Sequence, residues 1–110
     1  MMFDIDEKSS FSINIKLYDV DTGGALATPV TSMTWWVGQP RNDTPILEKQ
    51  TVATPSNDVT IIIPPEANIC TSGRDEERFV IVRIATASHV KHKIFEYIIN
   101  NLGLVPYPEE

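Results

Sequence analysis

Apolar and polar residues alternate with a period of two along most of this chain. Phe11, Ile13, Ile15 and Leu17 take turns with Ser12, Asn14 and Lys16, the spacing of a strand with one buried face. Residues 31–38 set Met33, Trp35 and Val37 on one side and Thr34 and Trp36 on the other. Residues 46–52 predict a weaker strand, exposed through Glu48 and Gln50. Residues 58–63 are β-branched almost throughout and stop at Pro64 and Pro65, which cannot continue a central ladder. Residues 78–84 are apolar on both faces and predict the centre of a sheet, while 91–100 return the chain as a further strand. Turn-forming residues collect at 19–24, 38–45 and 73–77. Residues 25–29 read as a short edge piece, and 64–68 as one helical turn. No long stretch carries a helical period. The pattern therefore predicts an all-β, antiparallel sandwich of six to seven strands. Its predicted core is Phe11, Ile13, Ile15, Trp35, Val37, Ile61, Ile63, Val80 and Val82.

Composition narrows the class without naming a function. The 110 residues suit one domain, with a body over about 11–102, an N-terminal arm over 1–10 and a tail over 103–110. A hydrophobic content of 42% with 22% charged residues excludes a disordered chain. The net charge of −6 argues against general nucleic-acid binding. No apolar run approaches the roughly 18 residues of a membrane span. The acidic start, Met1-Met2-Phe3-Asp4, lacks the basic region of a secretion signal and predicts a reducing compartment. Cys70 is the single cysteine, which excludes an internal disulfide and a multi-cysteine zinc site.

Candidate chemistry is sparse. His89 and His92 lie three apart but lack a third ligand, so they read as an exposed hairpin tip, and neither metal nor cofactor is expected. Cys70 reads as a small buried hydrophobe, and no serine sits in a nucleophile elbow. Asp19, Asp21, Asp43 and the run Asp75-Glu76-Glu77 read as solvated turns. The expectation is a protein without catalytic residues. Between Arg78 and Lys93 there are four basic residues, two histidines and no acid, a locally positive hairpin. That patch either meets an acidic partner or guards a strand edge, with Arg83, Lys91 and Lys93 as its candidate contacts. Alternation sends Trp35 inward and Trp36 outward, where Trp36 either anchors an interface or is covered by Val105 and Tyr107 of the tail. Phe3 and Ile5 of the first arm, with Val105 and Tyr107, complete the candidate interface.

Several motifs also fall into a recognisable order. Asp19-Val-Asp-Thr-Gly-Gly24 is followed by Thr34-Trp-Trp-Val37, then Val59-Thr-Ile-Ile-Ile-Pro64 and Glu66-Ala-Asn68. Arg78-Phe-Val-Ile-Val82 and Tyr97-Ile-Ile-Asn-Asn-Leu102 come last. Over residues 11–102 this set resembles bacterial and phage immunoglobulin-like modules, and especially the small one-domain proteins encoded among phage virion structural genes. The resemblance implies an immunoglobulin-like sandwich that serves as a non-catalytic structural or assembly module of a phage tail, baseplate or capsid. Its partners would be other virion proteins or copies of itself, and its location the virion, assembled in the host cytoplasm. A second reading is an adhesive or carbohydrate-binding sandwich at a host surface, with a glycan as partner.

Overall fold

The computed structural model of the chain describes residues 2–17 and 30–102 and resolves the alternating pattern into seven strands. They are β1 (Met2–Asp6), β2 (Phe11–Lys16), β3 (Val30–Gly38), β4 (Leu47–Thr51), β5 (Asp58–Ile63), β6 (Glu76–Thr86) and β7 (Val90–Asn100). The helical turn expected after Pro64 is a 3-10 turn at Pro65–Ala67, where Pro occupies the first helical position. One sheet runs β1-β7-β6-β3-β4 and the other pairs β2 with β5. The strand with apolar residues on both faces, β6, is central, as its composition predicts. The turn at 19–24, the edge piece at 25–29 and the tail from 103 lie outside the described residues.

The two sheets close on one core. Ile13, Ile15, Ile61 and Ile63 face Met33, Trp35, Val37, Val80, Val82, Tyr97 and Ile99, and all are buried. Each such aliphatic side chain contributes about 1.5–3 kcal/mol on burial. Phe11, expected in the core, is half-buried at its rim, because β2 begins where the chain crosses between sheets.

The N-terminal arm belongs to the body. Residues 1–10 were expected to leave the body, yet β1 adds to the five-stranded sheet, parallel to β7, with Phe3 opposite Tyr97 and Ile5 opposite Ile99. The sheet is therefore mixed, antiparallel except at this edge. Phe3 and Ile5 are packed against the core, so they are not a free interface. Phe3 stacks on Tyr97 at 5.6 Å and meets Phe11 edge-on at 5.3 Å, while Phe11 and Tyr97 stand edge-to-face at 4.9 Å. Such ring pairs add about 0.5–1.5 kcal/mol beyond area burial. The chain then crosses to the other sheet through a tight turn with Lys8 at φ 63°. The Glu7 N–H donates to the Asn100 carbonyl at 3.0 Å and the Lys8 N–H to the Asn68 carbonyl at 2.7 Å, which fastens the crossing.

Candidate functional site

The outer face of the five-stranded sheet is the most unusual surface on the described residues. Alternation from the buried positions directs Trp36 of β3, Phe79 and Ile81 of β6, and Ile94 and Ile98 of β7 away from the core. Register aligns them: Trp36 is opposite Ile81, and Ile81 is opposite Ile94, so one apolar row crosses three strands. Ile94 is 56% exposed, and Trp36, Phe79, Ile81 and Ile98 are half-buried. An antiparallel sheet with one wet face is normally polar there. This one is apolar on both faces. Phe79 and Trp36 also wall a hollow of about 240 Å3 beneath the loop at 39–45, with Asp43 at its rim. That loop is held by the Ile46 N–H donating to the Val37 carbonyl at 2.7 Å and by the Thr44 N–H donating to Asn42 Oδ1 at 2.9 Å.

Charge is sorted along the strands on either side of the row. Arg83 and His92 are opposite one another and flank it at one end. Glu96 is opposite Phe79 at the other end, and beyond it Glu77 and Asp4 both lie opposite Ile98. The face therefore has a basic pole, an apolar waist and an acidic pole.

The basic hairpin expected from sequence divides in three. Arg83 is half-buried on the outer face. Lys91 and Lys93 are exposed but alternate to the opposite side of β7, with the Lys93 ammonium 6.0 Å from the Phe95 ring centre. Arg78 leaves the patch altogether, being 2% exposed. Its Nη2 donates to Glu76 Oε1 at 2.7 Å and to the Ile69 carbonyl at 3.1 Å, and its Nη1 to the Glu77 carbonyl at 3.0 Å and Gln39 Oε1 at 3.3 Å. Glu76, read as a solvated turn residue, is the counter-ion and accepts the Thr71 and Ser72 N–H groups at 2.6 and 2.7 Å. Burial opposes its ionisation, but the Arg78 hydrogen bond and those two amides outweigh that and hold its pKa at about 2. A cleft of about 510 Å3 lies beside the pair, lined also by Arg41 and Glu77, but Arg78 and Glu76 themselves are already committed to one another.

A second polar element lies in the core. The Tyr97 hydroxyl donates to Asn68 Oδ1 at 2.7 Å, and Asn68 Nδ2 donates to the Ser9 carbonyl at 2.7 Å. Burial pushes the Tyr97 phenol up, with Arg78 acting in the opposite direction, so the hydroxyl stays a donor. Cys70 is half-buried, and burial followed by the negative charge of Glu76 raises its pKa, which keeps it a thiol. Ser88 Oγ lies 2.8 Å from His89 Nδ1, but the pair sits exposed at the hairpin tip, and among the described residues no carboxylate orients the ring. His92 is exposed and apart from it, and no group of three metal-ligating side chains gathers among the described residues. Val105 and Tyr107 lie outside the described residues. The two-sided apolar pattern of residues 78–84 is the sequence signal for Phe79 and Ile81, and Trp36 and Arg83 are candidates already. Nothing in 91–100 singles out Ile94 and Ile98, which share their side of the strand with His92 and Glu96.

No protein-family model and no curated protein matches the chain. Among solved structures it is similar to the periplasmic chaperone SfaE, with a TM-score of 0.50 at 15% identity over 97% of this chain and 56% of that one. The chain thus spans about half the length of that chaperone. At this identity the likeness establishes the fold alone. The chain is an immunoglobulin-like, all-β sandwich.

Proposed function

We propose that this sandwich is a non-catalytic protein-binding module, working as a structural or assembly component of a phage particle through the outer face of its five-stranded sheet. The observation that carries the docking role is the row Trp36–Ile81–Ile94, with Phe79 and Ile98 beside it. Apolar side chains of this size, on a face over which no second layer lies among the described residues, are what a surface looks like when its cover is another molecule. The assignment to a tail, baseplate or capsid rests on the motif order over residues 11–102 and on the fold. The virion, assembled in the host cytoplasm, is its proposed location.

The glycan reading fits this face less well. A sugar platform needs a wide exposed ring, whereas Trp36 is half-buried, with Ile81 opposite it and the 39–45 loop over the hollow that it walls. The test is incorporation. Mass spectrometry of particles purified from cells carrying the gene should find the chain, and Ile94→Asp should melt like the wild type yet be lost from the particles. Absence from particles, or unimpaired incorporation of the folded variant, would reject the proposal.

A further inference from the structure

We infer that the partner on this face is a second copy of the same chain, stacked face to face about a two-fold axis that runs across the strands. The inference rests on the docking role of the outer face and adds who occupies it and in which orientation. Two in-plane two-fold axes could bring this face onto itself through the apolar row. An axis along the strands would set each pole against its like, the Arg83–His92 end over the other copy's Arg83–His92 end and the Phe79–Glu96 end over its counterpart. An axis across the strands reverses one copy end for end. Ile81 and Ile94 then meet their own counterparts at the dyad, and the Arg83–His92 end of one copy lies over the Phe79–Glu96 end of the other. Charge selects the second arrangement, since opposed poles fix register and like poles are penalised.

Shape agrees with charge. In the reversed stack, Arg83 of one copy arrives over Phe79 of the other, at the mouth of the hollow rimmed by Asp43 and one strand from Glu96. A guanidinium there has the Phe79 ring beneath it and the Asp43 and Glu96 carboxylates on either side, a setting that suits arginine. Five strands spaced about 4.8 Å apart, over roughly six residues of length, give on the order of 500 Å2 per copy. The pair would bury roughly 1,000 Å2, the lower bound for a specific interface and the size that goes with reversible association.

Charge exchange in trans tests the orientation. Sedimentation equilibrium of the full chain across micromolar to submillimolar concentrations should show a monomer–dimer equilibrium. Arg83→Glu and Glu96→Lys, each folded by circular dichroism, should each weaken it about tenfold or more. Mixing the two in equal amounts should restore dimers. Each mixed interface then pairs the introduced carboxylate with the introduced ammonium at one end and keeps a native Arg83–Glu96 contact at the other. Ile94→Lys sets like charges together at the dyad and should weaken self-association without being rescued by either partner. A wild-type chain that stays monomeric throughout overturns self-pairing, as does a mixture no tighter than its components. If such a monomer still loses particle incorporation on Ile94→Asp, self-pairing falls and the docking role stands; if neither property responds to that variant, both fall.

Discussion

Glu76→Gln isolates the internal ion pair and turns its pH dependence into a measurement. The substitution keeps the side chain's size but replaces one acceptor oxygen with a donor. Glu76 now uses Oε2 for the Thr71 and Ser72 amides and Oε1 for Arg78, so an amide in its place must present NH2 to one of those donors. It also leaves the Arg78 guanidinium, 2% exposed, without its counter-ion. The drop of the Glu76 pKa from 4.5 to about 2 sets the scale. At about 1.36 kcal/mol per pH unit that drop corresponds to roughly 3 kcal/mol, the lower end of the ~3–5 kcal/mol expected when one partner of a buried pair is removed. The sign follows from linkage. A carboxylate whose folded pKa lies below its unfolded value stabilises fully above the unfolded value, and that stabilisation is lost as pH falls through the folded one. The wild type should therefore exceed the variant by about 3 kcal/mol at neutral pH, and the gap should close as pH falls from 4.5 toward about 2. Urea unfolding followed by tryptophan fluorescence reads it as a midpoint difference of roughly 1–3 M at neutral pH. A gap below about 1 kcal/mol at neutral pH, or one that persists undiminished at acid pH, would refute the assignment of Glu76 as the stabilising counter-ion.

Three further outcomes are expected. Tyr97→Phe should destabilise by about 1–3 kcal/mol in equilibrium unfolding, because Asn68, fully buried, loses the donor to its Oδ1. Phe3→Ala should lower stability by about 2 kcal/mol, roughly half the penalty for a fully buried ring, and raise amide exchange along β1 and its partner residues in β7; unchanged exchange there would mean that β1 does not depend on the Phe3–Tyr97–Phe11 cluster. Trp35→Ala should remove about 3–5 kcal/mol while Trp36→Ala removes clearly less, and denaturant melts giving the reverse order would place β3 in the opposite register.

Strand positions and the identity of the central strand are written into the sequence because period-two alternation is a local property of each segment. Ile13 and Ile15 against Ser12 and Asn14, or Trp35 against Trp36, specify a buried and an outward side whatever the neighbours are. The same local pattern exists in Phe3-Asp4-Ile5-Asp6, but it is short and acidic, and only pairing with β7 and the rings of Phe11 and Tyr97 make it a strand of the body. The basic stretch from Arg78 to Lys93 is likewise visible in sequence, whereas its division is not. Burial beside Glu76 removes Arg78 from the surface, and the strand pleat separates Arg83 from Lys91 and Lys93. The apolar row of the outer face depends wholly on tertiary structure. Trp36, Ile81 and Ile94 belong to three separate strands, and it is the β3–β6 and β6–β7 registers that set them side by side. Sequence fixes which way each side chain leans from its own strand; which side chains become neighbours across strands is decided by non-local pairing.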